Sequence, residues 1–536
     1  MGTFDYIIVG AGSSGSVLAN RLSADPTQRV LLIEAGGPDT SPLIDMPRGF
    51  GHLLADPNHV WMYQVDKTGG HNAPEFWVRG KTLGGSSSVN GMVWVRGLPG
   101  DYDAWERQGC VGWGWPELSR CFKALEDHQL GDGGGRGVGG PVKITQHPER
   151  PEICEAMIAA AHACGLPIVE DLNSVDGEVF GYQPRNIWKG RRQSASKAFL
   201  RPALGRGNFT VLTGALALRV IFEAGQAVGV LIRRQGREEI VRAGREIVLC
   251  AGALQSPKLL QLSGVGPADH LKSLGVEVVC DSPDVGENLR EHRLLSMQFR
   301  VRRGSQNHHF NGARLYATAL NYFLFGRGAL ASAAFEVGGF VKTRPELDRP
   351  DAQLGMGPMS LDRSAGRFAM EREPGALCGG YAMRPDSRGS VRITGRDPDA
   401  PLQIQPNYLS AESDRRTSVG IVRFTRRLFG QPALQEFVVR ESSESAEAQT
   451  DDEIIDAFHR IGGAGFHAVG TCRMGSDPRS VVDPLLRVRG VRGLRVADIS
   501  VMPSLVSGNT NAPAMAMAWR AAELIQSNAQ GKAMTE

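Results

Sequence analysis

The opening residues constrain this chain's fold more than any other segment does. Residues 4 to 9, FDYIIV, form a short apolar run that ends in Gly10-Ala11-Gly12-Ser13-Ser14-Gly15. A helical pattern through Val17, Leu18 and Leu22 then leads into RVLLIEAG. Strand, glycine turn, helix and strand make a βαβ unit, whose crossover lays the two strands parallel. A GxGxxG string alone says little, because glycine-rich turns are common; its place between a strand and a helix gives it meaning. There Gly10 permits the tight turn, Gly12 lets backbone approach a pyrophosphate, and Gly15 lets the helix pack closely. The helix N-terminus, carrying Ser13 and Ser14, faces negative charge. Glu34, followed by Ala35, ends the second strand, where a carboxylate can accept hydrogen bonds from a ribose and disfavours a 2′-phosphate. The pattern predicts a bound dinucleotide without separating NAD from FAD.

Two distant segments look like pieces of the same sheet: EIVLCAGAL at 246 to 254, which runs into a helical KLLQLSG, and LRVA at 494 to 497. Residues 291 to 457 lose the glycine-punctuated rhythm and carry alternating patches such as SVRITGR, so an inserted domain is expected. The stretch GDGGGRGVGG at 131 to 140 is too glycine-dense for a regular element and is expected to be a mobile surface loop. Leu315 to Phe325 is apolar but shorter than the ~18 residues of a membrane span, and it includes Thr318 and Asn321. A core helix is expected there, and no transmembrane segment anywhere.

With 60 Lys and Arg dispersed among 57 Asp and Glu, the net charge is only +3, which argues against nucleic acid as a partner. Hydrophobic residues at 41% and charged residues at 22% exclude a disordered chain. The eight cysteines contain no CxxC, so neither a metal site nor a disulfide framework is expected. The N-terminus lacks the cationic start and long apolar run of a secretory signal. A cytoplasmic setting is the simplest expectation, any membrane association being peripheral, at the inner face.

Further blocks follow in order along the chain. Residues 80 to 90, GKTLGGSSSVN, continuing GMVWVRGLPGDYD, resemble the first signature of the glucose-methanol-choline (GMC) oxidoreductase family. GALQSP at 252 to 257 is similar to the second. GFHAVGTCRMG at 465 to 475 and the C-terminal GLRVADISVMPSLVSGNTNAPAMAMAWRAAELI resemble its active-site blocks. The resemblance implies an α/β FAD-binding domain of Rossmann type, discontinuous over residues 1–150, 194–290 and 458–530. It also implies an α+β substrate domain on an antiparallel sheet, residues 151–193 and 291–457. It assigns FAD contacts to Gly80, Leu83, Gly85, Ser86, Asn90, Gly91, Met92, Val93, Ala217, Ala251, Gly252, Asp498, Ile499, Asn511 and Pro513, besides the N-terminal turn. Some members attach the flavin through a His just before the Asn of the first signature; Val89 stands there, so noncovalent FAD is expected. VGENLREH at 285 to 292 resembles the family's VGxNLxDH, with Glu291 in place of Asp.

Alcohol oxidation needs a base that is neutral at working pH and a donor that holds the substrate oxygen. His467, in the HxxGTxxMG block, is the expected base, and Asn511, in GNTNAP, the expected donor. Thr510 or Asn511 can cap the helix that follows, with Pro513 in its first turn. Phe466, beside the base, is an expected substrate contact. Glu336, in FEVGGF, is similar to the ExGGF segment of the choline-dehydrogenase-like branch, where a carboxylate in a pocket could hold a cationic head group; an exposed or structurally paired Glu is the equal alternative. The implied reaction is oxidation of a primary alcohol to the aldehyde, with electrons passed to a quinone or other acceptor. An oxidase that uses O2 and releases H2O2 is the alternative. A non-redox or light-driven relative, a lyase or decarboxylase, is disfavoured by the presence of both His467 and Asn511.

Overall fold

The computed structural model describes residues 2–66, 75–362 and 369–529. Strand Phe4–Val9 lies between Val30–Ile33 and Arg237–Leu249, parallel to both. Phe209–Leu212 extends the sheet beyond Val30–Ile33, and Leu494–Val496 flanks Arg237–Leu249. Helices cover both faces of a parallel sheet, so its strands read as unbroken apolar runs; VLLI at 30–33 is buried throughout. Both distant segments singled out in the sequence join this sheet, EIVLCAGAL as the end of strand Arg237–Leu249 and the start of helix Gly252–Leu262. The same long strand turns away into an antiparallel meander with Gln226–Arg234 and Ala215–Glu223. Helix Asn511–Ala529 packs along helix Ser13–Leu22, so the two ends of the chain meet beside the glycine turn.

A second seven-stranded sheet runs in the order Val438–Glu441, Arg293–Val301, Gly375–Ala382, Ala352–Gly357, Val337–Val341 and Val179–Tyr182. It is antiparallel throughout, with Gly463–Ala464 paired to Arg293–Val301. Alternation along these strands divides their side chains between two faces. Leu295, Met297, Phe299, Leu354, Met356 and Cys378 enter a core that also holds residues of helices Glu152–Ala163, Glu412–Phe429 and Asp451–Ile461. Leu294, Ser296, Gln353, Gly355, Leu377, Gly379 and Tyr381, on the opposite pleats, line a cavity shared with the first sheet. The α/β nucleotide-type sheet and the antiparallel second sheet are those the sequence led us to expect.

Two local expectations are corrected. The glycine-dense loop is tied down rather than free. Arg96 Nη1 donates to the Gly135 carbonyl at 3.3 Å, Arg136 Nη1 donates to Asp171 at 3.3 Å, and a Cβ on Gly137 would lie 1.9 Å from the Lys123 carbonyl. The apolar stretch does form a helix, Gly312–Phe325, but it is not a core helix: its buried residues are Thr318 and Tyr322, while Tyr316, Leu320, Phe323, Leu324 and Phe325 are exposed.

Candidate active site

The cavity, of about 590 Å³, opens at the carboxyl ends of the parallel strands, where open α/β sheets bind ligands. Val9, Gly10, Gly12, Ser13 and Ser14 supply its floor, together with Ile33, Glu34 and Ala35 from the second strand and Cys250, Ala251 and Gly252 from the third. Gly10 has φ of 103°, and a Cβ there would lie 2.6 Å from the Cys250 carbonyl. A Cβ on Gly15 would lie 1.9 Å from the Gly10 carbonyl, so the helix sits as close as glycine permits. A Cβ on Gly12 would instead meet nothing within 4 Å, which leaves bare backbone facing the cavity.

Glu34 accepts from the Ala11 N–H at 2.9 Å on Oε2 and from the Gly36 N–H at 2.8 Å on Oε1, keeping a further lone pair on each oxygen. Burial pushes its carboxyl above the ordinary value, against those same backbone donors. Asp498 Oδ2 accepts from the Gly252 N–H at 2.8 Å and from Ser256 Oγ at 2.6 Å, and Oδ1 accepts from the Ser500 N–H at 2.8 Å. It therefore holds the third strand's turn against the C-terminal block. Gly80, Gly85, Ser86, Val89, Asn90, Gly91, Met92, Val93, Ala217, Ile499 and Asn511 line the same cavity, whereas Gly15, Leu83 and Pro513 stand behind its wall. Asn511 Oδ1 accepts from Ser13 Oγ at 2.8 Å, and its Nδ2 is a buried donor with no acceptor among the described residues. The bare turn at Gly12 and this orphaned donor fit a flavin dinucleotide, whose pyrophosphate needs close backbone and whose ring carbonyls need donors.

At the other end of the cavity the sequence reading is corrected. The side chain on His467 is Asn509, two residues before the expected Asn511, with Asn509 Nδ2 3.1 Å from His467 Nε2. The surrounding bonds set the protons. His292 Nε2 is 2.7 Å from the Met383 carbonyl, which can only accept, so Nε2 carries that ring's proton. His292 Nδ1 is then an acceptor, and His467 Nδ1, 2.9 Å away, donates to it. His467 Nε2 keeps its lone pair on the side of Asn509. Tyr381 Oη donates to Gln353 Oε1 at 2.6 Å and Gln353 Nε2 donates to Asn509 Oδ1 at 3.2 Å, which turns the Asn509 amine toward the imidazole. Burial, followed by His292 and Arg79, holds His467 well below the ordinary imidazole value, and burial pushes His292 down to about 3. Both rings are neutral at pH 7.

Glu291 joins the two histidines through the backbone, accepting from the His292 N–H at 2.9 Å and the His467 N–H at 2.6 Å, while Arg79 Nη2 approaches its other oxygen at 3.2 Å. Burial raises its carboxyl to about 7 against the pull of Arg79 and the two N–H groups. Phe466 lines the cavity in the left-handed conformation, φ 64°. Sequence reasoning missed Asn509, Gln353 and Tyr381 and gave His292 no role; Asn509 and His292 both lay inside quoted blocks.

Glu336 is placed elsewhere. Its carboxylate is buried between Arg48 Nη2 at 3.1 Å and His147 Nε2 at 2.6 Å, and it does not line the cavity. Although burial opposes ionisation, His147, Arg48 and Arg185 bring it down to about 2. Among the described residues, the carboxylates that line the cavity are Glu34 and Asp498. Two of its aromatic faces are already shadowed by cations: Lys81 Nζ is 4.4 Å from the Trp61 ring and the Arg79 guanidinium 5.9 Å from that of Phe466. Among the described residues no group of three or more His, Cys, Asp or Glu could hold a metal, and no helix is long and apolar enough to cross a membrane.

Two family models, both described as GMC oxidoreductase, match residues 4–294 and 385–518. The mitochondrial choline dehydrogenase of Homo sapiens is 39% identical over 98% of this chain and 90% of its own length. An alcohol dehydrogenase [acceptor] of Pseudomonas putida is 39% identical over 97% of this chain and 95% of its own. Among solved structures, pyridoxine 4-oxidase from Mesorbium loti superposes with a TM-score of 0.88 at 33% identity, covering 98% of this chain and 99% of that one.

Proposed function

The chain belongs to the GMC oxidoreductase family, FAD enzymes acting on CH–OH groups, and from that premise we propose that it oxidises a neutral, apolar primary alcohol to the aldehyde, with His467 as base. The observation that carries this reading is the unprotonated Nε2 of a buried, neutral His467 beside the Asn509 amine. His467 Nε2 takes the hydroxyl proton. Asn509 Nδ2 donates to the alkoxide oxygen that forms, and Gln353 keeps that amine pointing inward. The turn at Gly10 to Gly15, with Glu34, Asp498 and Asn511, holds the cofactor. When bound, the flavin accepts the hydride that leaves the carbinol carbon.

The neutral-substrate reading rests on charge. A quaternary ammonium would meet the Arg79 guanidinium where it needs a carboxylate, and Glu336 is committed to Arg48 and His147. Leu294, Phe335, Met359, Leu361 and Leu377 offer apolar surface instead. The Pseudomonas putida relative, named for use of an acceptor, supports electron delivery to a quinone or similar carrier; the structural likeness to an oxidase keeps O2 as the alternative. An alcohol panel followed by anaerobic flavin reduction tests the substrate class: medium-chain primary alcohols should exceed choline in kcat/KM by at least about tenfold, and the reverse order would overturn the reading. Reoxidation of the reduced enzyme in air-saturated buffer, compared with an artificial quinone, decides the acceptor.

A further inference from the structure

Helix Gly312–Phe325 is amphipathic in the sense opposite to that of a water-facing element. Its inner side carries Thr318, whose Oγ1 is 3.4 Å from His309 Nδ1, and the buried Tyr322. Its outer side leaves Tyr316 80%, Leu320 60%, Phe323 67% and Leu324 64% exposed, with Phe325 at 67% beyond them. Positions 316, 320, 323 and 324 fall on one helical stripe. A contiguous apolar surface of this kind marks a site of interaction. The helix is well delimited: Asn311 precedes it, and Gly326, with φ of 65°, ends it by bonding its N–H to the Tyr322 carbonyl at 2.7 Å.

The charge around the stripe has one sign. From Arg302 to Phe335 the sequence contains no Asp or Glu. Arg314 within the helix and Arg327 just after it are exposed. A hairpin formed by Ile187–Trp188 and Arg191–Arg192 abuts the helix end so closely that a Cβ on Gly190 would lie 2.1 Å from the Gly326 carbonyl. It adds Trp188, Lys189 and Arg191, all exposed. Asp45 lies close by, shared between Lys197 at 2.8 Å and Arg191 at 3.9 Å.

We propose that this helix docks the protein onto an anionic phospholipid surface, lying in the interface with the Tyr316–Leu320–Phe323–Leu324 stripe among the upper acyl chains. Arg314, Arg327, Lys189 and Arg191 then meet lipid phosphates, and Trp188 sits at headgroup level, as interfacial aromatics do. The cationic rim argues for lipid over a second copy of the chain, because a two-fold contact through this face would set Arg314, Arg327 and Lys189, which show no ion pair among the described residues, against their own copies. Beyond Gly326 the chain passes through Ala329–Ala331 to Ala334 and Phe335, which line the active-site cavity. The docked face is thus continuous with a wall of the catalytic chamber. Docking does not depend on which alcohol is oxidised.

The test is co-sedimentation of the FAD-loaded full chain with vesicles of phosphatidylcholine, with and without phosphatidylglycerol. The wild type should sediment with the anionic vesicles and much less with neutral ones, and added salt should weaken it. Leu320→Glu combined with Leu324→Glu should lower the bound fraction at least about tenfold without lowering the melting temperature, since both side chains face solvent. If that pair unfolds the protein, Tyr316→Ser with Phe323→Ser carries the same expectation. Arg314→Glu with Arg327→Glu should abolish the preference for anionic lipid. A wild type that stays in the supernatant with both vesicles, or variants that sediment like it, would overturn the proposal. So would light scattering that shows a dimer split by the Glu pair with no lipid binding.

Discussion

The environment of His467 makes its ring hard to protonate, which keeps it free for the base role proposed for it. Its Nδ1 proton is held by His292, itself fixed by the Met383 carbonyl, so the lone pair can only be on Nε2. His467→Ala should fold and retain FAD while anaerobic flavin reduction slows by about 10² to 10⁴; an unchanged rate would remove it from the chemistry. Because burial depresses its pKa, the base is already free at pH 7. The reduction rate should therefore stay flat through the ordinary imidazole range and fall only at a pH well below about 6.5. A rate still climbing above pH 8 would mean that another group titrates. The two asparagines of GNTNAP separate in the same assay. Asn509→Ala should cost about 10² to 10³ in reduction rate, whereas Asn511→Ala, which loses a donor on the cofactor side and the bond to Ser13, should loosen FAD more than it slows reduction. Equal effects on rate would return the alkoxide role to Asn511. His467 was legible because its block is dense. The choice between Asn509 and Asn511 was not, since a helix starts at Asn511 and redirects a side chain that an extended segment would have aimed with its neighbour. For Glu336 the structurally paired alternative holds, and it could not be chosen from sequence because the partners, Arg48 and His147, are remote along the chain.

At the scale of elements, the glycine turn combines two separable functions. Gly12 has φ of −73° and open space at its Cβ position, so Gly12→Val should leave the sheet folded and fill the cradle. Such a protein should purify with native far-UV circular dichroism and little flavin absorbance; full flavin occupancy would contradict the assignment of the turn. Gly15→Ala drives a methyl into the Gly10 carbonyl and should instead lower the melting temperature and the soluble yield. This turn was readable from sequence because each glycine answers a local steric demand. The helix Gly312–Phe325 was not, because apolar periodicity reports that a face avoids water and is silent on what replaces the water. The second sheet's alternation was likewise visible only in fragments, since its strands come from distant segments and glycine stands at two of the cavity-facing positions, Gly355 and Gly379.

For the molecule as a whole, the flavin site is assembled from both ends of the chain, and the cofactor should act as its keystone. Val89 lines the cavity where a covalent link would need a histidine. Acid precipitation should therefore release yellow flavin into the supernatant, and colour retained on the precipitated protein would refute dissociable FAD. Removing FAD under native conditions should lower the melting temperature, and adding it back should restore it in proportion to RT ln(1 + [FAD]/Kd).

The packing of helix Asn511–Ala529 on helix Ser13–Leu22 also orders events at the ribosome. The Ser13 to Asn511 bond and the contact of Ser14 Oγ with the Ala514 carbonyl join residues 498 and 500 positions apart, so the turn at Gly10 to Gly15 is synthesised long before the segment that seals it. The sealed cradle can form only once Ala514 has been made, and until then the apolar strand ends around the turn lack that cover, a transient exposure of the kind that favours aggregation.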